Sequence, residues 1–167
     1  MDKNKNILIL NSGGTFNKFY DPITGKLDVV QNNRYIKKIF NRSKIDNIDI
    51  NGILYKDSLD INNDDRKKIV DFIATKKYKK IIIIHGTDTM DKTAEYLAKY
   101  FLDKTIILTG AMVPFSIDEI EATSNLMLAL GYIKATSQNG VFIAMHGLVE
   151  SFKKIKKDRS KGIFICQ

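Results

Sequence analysis

Short β-branched apolar runs alternate along this chain with longer amphipathic stretches. The apolar runs predict strands, and Ile81–Ile84, which is apolar on both faces, is typical of a central parallel strand. In the amphipathic stretches, apolar residues recur on one side of a 3.6-residue period, which predicts helices between the strands. The predicted strands are Asn6–Asn11, Ile48–Tyr55, Lys80–His85, Thr105–Thr109 and Val141–Met145; the predicted helices are Asn32–Asn41, a helix capped by Asn62, Thr93–Phe101 and Asp118–Ala135.

Strands that alternate with helices indicate a doubly wound α/β fold of the flavodoxin or Rossmann kind, with a mostly parallel sheet and helices on both faces. The 167 residues fit one domain, so we expect a single domain over residues 1–167. Ligands of such folds bind at the carboxyl ends of the strands. The loops that follow the strands are therefore the first places to look for functional residues.

Charge and cysteine content narrow the class of protein. The net charge is +8, but the lysines are spread along the chain, with denser clusters only at Lys76–Lys80 and Lys153–Lys157. This spread predicts a solvated surface rather than a nucleic-acid footprint. The single cysteine, Cys166, excludes an internal disulfide and is expected to be a buried apolar filler. No stretch approaches ~20 apolar residues, and none after Met1–Asn6 is typical of a secretory signal, so we expect a cytoplasmic protein without a membrane contact.

The loops after the first two predicted strands are small and polar. Asn11–Thr15 contains two glycines, Gly13 and Gly14, which allow a tight turn and close approach of the backbone to a ligand, and then a threonine hydroxyl. Its spacing does not match the dinucleotide motif G-x-G-x-x-G, which leaves a plain glycine turn or a nucleophile loop. Lys56–Asp60 could bind the charged ends of a ligand or simply lead into the helix cap at Asn62.

The loops after the third and fourth predicted strands are more informative. His85–Met90 places two threonine hydroxyls around the Asp88 carboxylate directly after a buried strand. A helix cap at Thr87 or Asp88 would explain one of these polar residues, but not three in a row. Thr109–Pro114 offers backbone carbonyls that could accept from a ligand amide.

Together these loops resemble the motifs of the L-asparaginase family, in the same order along nearly the whole chain. Gly13–Thr15 is similar to the family's T-G-G-T-I, and His85–Met90 matches its H-G-T-D-T-M without a mismatch. Gly110–Pro114 resembles G-A-M-R-P, with Val113 in place of arginine, and Asp57–Ser58 resembles the family's substrate-binding serine segment.

The resemblance implies an amidohydrolase that converts L-asparagine to L-aspartate and ammonia through a threonine nucleophile and an acyl-enzyme. It assigns the nucleophile to Thr15 and an activating polar cluster to Thr87, Asp88 and a downstream lysine. It also implies that Asp88 binds the substrate α-amino group, Ser58 its α-carboxylate, and the Ala111 carbonyl its side-chain amide. The substrate-binding residues implied are Gly14, Ser58, Thr87, Asp88 and Ala111. No cofactor or metal is implied.

The lysine is assigned by aligning Val149–Asp158 with the family's segment V-x-x-x-x-x-V-x-K-T. This alignment implies Lys157, and a slip by one residue would give Lys156 instead. Without the resemblance, Lys153–Lys157 would be interpreted as a solvated basic turn.

Tyr20 is implied as the partner of Thr15, because the family has a tyrosine on the mobile loop after its first threonine. That loop, Phe16–Val30, could act as a lid, or Tyr20 could anchor it on the core. His85 and His146 also follow predicted strands, and we expect both to be structural or supporting residues.

Two departures from the family leave alternatives open. The chain ends soon after the lysine segment, so we expect the family's C-terminal domain to be absent, and Leu59 replaces a glutamine. A non-catalytic module that binds a small amino acid, or an ammonia-supplying subunit of an amidotransferase assembly in contact with tRNA, are the competing interpretations. Because a lone small domain would leave the site open, we expect a homodimer or higher homo-oligomer.

Overall fold

The strands of the computed structural model, which describes residues 7–167, form a central sheet and two short hairpins. In chain order they are β1 (Ile7–Gly13), β2 (Lys18–Tyr20), β3 (Leu27–Val29), β4 (Ile48–Lys56), β5 (Lys80–Ile84), β6 (Thr105–Thr109), β7 (Gly140–Met145), β8 (Leu148–Ser151), β9 (Ile155–Asp158) and β10 (Ile163–Cys166). The central sheet has the order β4-β1-β5-β6-β7-β8, parallel except for β8, which runs antiparallel to β7. The hairpins pair β2 with β3 and β9 with β10.

The α-helices cover both faces of the central sheet. They are α1 (Arg34–Ser43), α2 (Asn63–Ala74), α3 (Met90–Ala98) and α4 (Glu119–Ala135). Helices α1 and α4 pack on one face and α2 and α3 on the other. Because side chains alternate along a strand, Ile81–Ile84 of β5 supplies both cores, and all four side chains are fully buried. Each such side chain contributes about 1.5–3 kcal/mol.

The doubly wound fold and the five main predicted strands are confirmed, although Asn6, the first residue of the first predicted strand, lies outside the described residues. The predicted cap at Asn62 is present as a capping box, in which Asn62 and Asp65 each accept from the other's backbone N–H. Helix α4 matches its prediction, with Asp118 as the N-cap. Helix α3 begins at Met90, three residues before the predicted start.

Other expectations differ from the structure. The strands β8, β9 and β10 and the hairpin of β2 and β3 were not among the predicted elements. Helix α1 begins at Arg34 rather than Asn32. The side chain of its N-cap residue Asn33 accepts from Asn11 and Tyr55 and makes no hydrogen bond to the helix backbone. The expectation that Cys166 is buried is wrong, since it is exposed at the end of β10. Within residues 7–167, no helix is both long and apolar enough to cross a membrane.

The order of the strands creates a switch point between β1 and β5. From β1 the chain crosses through α1 to β4 on one side, then through α2 to β5 on the other side of β1. The loops that follow β1 and β5 therefore diverge at the carboxyl edge, which opens a crevice of the kind that binds ligands in open α/β sheets. Thr15 and Thr87 follow the two strands that flank this crevice.

The crossover through α4 has the opposite hand to the other three. Connections through α3 and α4 both run in the same direction across the sheet, but these two helices lie on opposite faces. Since parallel crossovers are almost always right-handed, the β6–α4–β7 connection is the left-handed exception. The first turn of α4 is hydrogen-bonded to the loop that follows β6.

Candidate active site

Three loops at the carboxyl edge of the sheet touch through glycines. A Cβ at Gly14 would lie 2.4 Å from Cα and N of Gly86, and one at Gly86 would lie 2.5 Å from Cβ of Ser58. Gly14 also has φ 76°, a left-handed conformation that favours glycine. Only residues without side chains allow this contact, which makes Thr15, Ser58 and Thr87 near neighbours at one edge.

Thr15 begins a short 3-10 turn, Thr15–Asn17, that is fixed on its inner side. Phe16 is fully buried, with its ring stacked 6.2 Å from that of Phe115. The Asn17 side chain, also buried, donates to the carbonyls of Val30 and Asn32. Thr15 itself stays partly exposed next to Gly14, on a turn that the two residues after it anchor in the core.

The hairpin of β2 and β3 occupies most of the predicted lid Phe16–Val30. Lys18 ties it to neighbouring loops, with Nζ 2.5 Å from Asp57 Oδ2 and its carbonyl accepting from Ser116 Oγ at 2.9 Å. Burial raises the pKa of Asp57, but the hydrogen bond and charge of Lys18 together with the backbone N–H groups of Leu59 and Ser58 outweigh it, and the pKa lies below its ordinary value. Tyr20 lies on this hairpin and is 48% exposed. Its pairing with Thr15 and the mobility of the hairpin stay predictions.

Lys157 joins the loop after β5 to the hairpin of β9 and β10. Its Nζ donates to Thr87 Oγ1 and to Asp88 Oδ1, both at 2.9 Å, and its side chain is only 13% exposed. Side chains alternate along β9, so that Ile155 and Lys157 face inward while Lys156 is exposed. The interpretation of this segment as a solvated basic turn holds for the exposed turn residues Lys153 and Lys154 but is wrong for Lys157, and the two-residue period favours Lys157 over Lys156.

Thr87 and Asp88 do not cap the helix that follows them. The N-cap residue of α3 is Thr89, and its hydroxyl donates to the carbonyl of Ser58 at 2.7 Å. The Asp88 N–H donates to Ser58 Oγ at 3.3 Å, and Thr87 Oγ1 donates to Met112 Sδ at 3.3 Å. The polar residues after β5 therefore join their loop to Ser58 in the loop after β4 and to Met112 in the loop after β6. Ser58 is left only 2% exposed.

Arg159 is a second cation on Asp88 that sequence reasoning missed. Its Nη1 donates to Asp88 Oδ1 at 2.8 Å and its Nη2 to the Asp88 carbonyl at 2.7 Å. The hydrogen bond from Lys157, with a further one from Arg159, holds the pKa of Asp88 below its ordinary value against the effect of burial. The signal available in the sequence was the two-residue spacing from Lys157, which places both cations on one face if the strand continues.

The loop that carries Ala111 is held by Glu121, another residue missed from sequence. The two carboxylate oxygens of Glu121 accept from the backbone N–H groups of Met112 and Val113, each at 2.9 Å. His146 Nε2 lies 2.9 Å from Glu121 Oε1, and His146 Nδ1 accepts from the N–H of Phe164 in β10. This network fixes the buried Ala111 relative to the hairpin that carries Lys157, and it gives His146 the structural role that we expected.

His85 lies at the centre of a buried hydrogen-bond chain beneath the same loops. Its Nδ1 donates to the carbonyl of Gly86 at 2.7 Å, and its Nε2 accepts from Thr93 Oγ1 at 2.9 Å. Thr93 in turn accepts from Arg66 Nε at 3.0 Å. Both ring nitrogens of His85 have a hydrogen-bond partner in this arrangement, so His85 is bound as the neutral Nδ1–H tautomer. It supports Gly86, the glycine that touches Gly14.

We expect His85 to make the fold sensitive to mild acid. Burial lowers its pKa from 6.5 to about 4, so between these values the unfolded chain binds a proton that the folded chain does not. The contribution of neutral His85 to the free energy of unfolding is fully present above pH 6.5. It falls as the pH falls, and about 3 kcal/mol is lost near pH 4. Urea denaturation between pH 4.5 and 7 measures it. His85→Asn should be less stable at pH 7 but show a flatter pH dependence, and an unchanged slope would contradict the assignment.

A model of the N-terminal asparaginase domain matches residues 6–163 of this chain. Among proteins of similar sequence, the probable periplasmic L-asparaginase of Haemophilus influenzae is 30% identical, over 95% of this chain and 48% of its own length. A glutaminase-asparaginase of Pseudomonas fluorescens is 27% identical, over 91% of this chain and 45% of its own. The chain thus spans about half the length of these relatives.

Solved structures give the same result. The thermostable L-asparaginase of Thermococcus kodakarensis superposes with a TM-score of 0.81 and 26% identity, over 96% of this chain and 51% of its own. The probable cytoplasmic L-asparaginase of Campylobacter jejuni superposes with a TM-score of 0.77 and 27% identity, over 96% of this chain and 51% of its own.

The Haemophilus influenzae relative is named periplasmic and the Campylobacter jejuni protein cytoplasmic, so a cytoplasmic location stays a prediction. The chain itself belongs to the asparaginase family, whose N-terminal domain it matches along nearly its whole length.

Proposed function

We propose that this chain hydrolyses the side-chain amide of L-asparagine to give L-aspartate and ammonia. The observation that carries this proposal is the position of Lys157 Nζ, which contacts both Thr87 Oγ1 and Asp88 Oδ1 in the loop that touches Gly14. A nucleophile loop and an activating amine thereby flank the crevice at the switch point of the sheet. Relatives named L-asparaginase and glutaminase-asparaginase support the choice of an amide substrate.

In the proposed reaction the Thr15 hydroxyl oxygen attacks the side-chain amide carbon. The C–N bond then breaks, the nitrogen takes up the proton that the Thr15 hydroxyl gives up and leaves as ammonia, and the substrate acyl group stays attached to Thr15 as an ester. A water molecule, deprotonated by the cluster of Thr87 and Lys157, attacks this ester and releases L-aspartate. Tyr20 is the proposed partner of Thr15 in the first step.

The proposed substrate contacts use groups at the same edge. The Ser58 hydroxyl would bind the α-carboxylate, Asp88 the α-ammonium, and the Ala111 carbonyl the leaving side-chain amide. Gly14 would lie along the substrate, since it has no side chain to displace it. The geometry that supports these roles is the mutual contact of the loops that carry Gly14, Ser58 and Thr87.

An ammonia-release screen with L-asparagine, L-glutamine and acetamide tests the proposal. We expect release from L-asparagine, less from L-glutamine and none from acetamide, which lacks the groups that Ser58 and Asp88 would bind. Release measured by a coupled glutamate dehydrogenase assay would be linear with protein concentration. Binding of L-aspartate or L-asparagine without any release would replace the proposal by the amino-acid-binding interpretation.

A further inference from the structure

The carboxylate of Asp88 is shared by two cations. Its Oδ1 accepts from Lys157 Nζ at 2.9 Å and from Arg159 Nη1 at 2.8 Å. One negative charge thus faces two positive charges, and the group as a whole carries a net charge of about +1. Lys157 is bound on the inner side, with 13% of its side chain exposed, whereas 64% of the Arg159 side chain is exposed.

Arg159 holds Asp88 at two points rather than one. Besides the contact with Oδ1, its Nη2 donates to the Asp88 carbonyl at 2.7 Å. The planar guanidinium is preorganised for such a two-point contact, so less conformational freedom is lost for each hydrogen bond formed. About a third of the Asp88 side chain is exposed, and Arg159 contacts it from the solvent side.

We infer that Arg159 determines specificity by competing with the α-ammonium group of a ligand for Asp88. An ammonium group that approaches this carboxylate meets a second cation already bound there, and like charges repel. A ligand of the same length without an ammonium group has no such cost. The inference rests on the proposed function, and it assigns to the site a wider substrate class: ω-amides of simple dicarboxylic acids, such as succinamic acid, together with asparagine.

Binding of the two matching products measures this competition without the need for turnover. L-Aspartate and succinate differ by the α-ammonium group alone, and their dissociation constants can be measured by titration calorimetry at low ionic strength. In Arg159→Gln we expect affinity for L-aspartate to rise about three- to five-fold relative to succinate, the upper part of the range for an exposed charge pair. Because the Arg159 side chain is exposed, Arg159→Gln should unfold at the same temperature as the wild-type protein.

Lys161→Gln is the matched control. Lys161 lies two residues further along the same turn, is 70% exposed and pairs with Asp158, not with Asp88. Lys161→Gln removes the same charge but no contact with Asp88, so the ratio of the two affinities should change by less than about twofold. A ratio that changes equally in both variants would mean that Arg159 acts only through net charge, and would overturn the inference. A fall in L-aspartate affinity in Arg159→Gln, or no binding of either ligand to any of the proteins, would also overturn it.

The two proposals fail in different ways. Absence of ammonia release from L-asparagine by the wild-type protein would refute the proposed hydrolysis, while the binding ratio would still decide the role of Arg159. Conversely, normal hydrolysis with an unchanged binding ratio in Arg159→Gln would refute only the specificity role. Turnover of the two substrates should show the same difference. Arg159→Gln should lower the KM for L-asparagine and leave the KM for succinamic acid nearly unchanged.

Discussion

Replacement of Thr15 by valine is expected to abolish ammonia release from L-asparagine, with kcat reduced at least about 10³-fold. Valine keeps the branched shape of threonine and removes only the hydroxyl, so the 3-10 turn at Thr15–Asn17 should persist. The buried Phe16 and Asn17 anchor this turn independently of the Thr15 side chain. The free energy of unfolding should therefore change by less than about 1 kcal/mol, as checked by urea denaturation.

Thr15→Ser provides the control for this experiment. Serine restores a hydroxyl at the same position, so activity should return in part, limited by the extra rotational freedom of the smaller side chain. An acyl-enzyme, trapped by acid quenching and detected as a mass increase, should form in the wild-type and serine proteins but not in the valine protein. Full activity of Thr15→Val would remove Thr15 from the nucleophile role, whatever the serine variant does.

The four central strands β1, β5, β6 and β7 could be predicted from sequence because they are buried on both sides. Runs such as Ile81–Ile84 have no polar face to obscure the pattern, and the cap at Asn62 has a local signature in Asp65. The strands that were missed are short or lie at the surface. In β9, the sequence Ile155–Asp158 alternates correctly, but its outward face is lysine, so the period of two is hidden inside a basic run.

The residues of the candidate site that lie in sequence motifs could be predicted, whereas those that belong to it only through contacts in the folded chain could not. The residues after β1, β4 and β5 do meet at one edge, as expected from parallel strands. Glu121 and Arg159 could not be found in this way, because neither belongs to a motif. Glu121 binds backbone N–H groups eight and nine residues earlier in the chain, and Arg159 binds Asp88, 71 residues away. A glutamate in the first turn of a helix is ordinary sequence, and only the folded loop after β6 shows that it accepts from the backbone N–H groups of Met112 and Val113.

Replacement of Lys157 by methionine is expected to lower kcat for L-asparagine by about 10²–10⁴-fold, the usual contribution of a general acid–base group. Methionine keeps an unbranched stem of similar length in the inward-facing position of β9 but cannot donate to Thr87 or accept a proton. The matched control is Lys156→Met, the same chemical change one residue earlier on the exposed face. It should leave kcat within about twofold, whereas a severe loss in this control alone would show that the lysine was misassigned.

Lys157→Arg then separates proton transfer from simple charge. Arginine keeps a positive charge beside Asp88, but its guanidinium stays protonated at every accessible pH and cannot serve as a base. If Lys157 removes a proton from Thr87 or from water, the arginine variant should be nearly as inactive as the methionine variant. If Lys157 only holds the Asp88 loop in place through the contact at 2.9 Å, the arginine variant should recover most of the activity, and the activating role would be refuted.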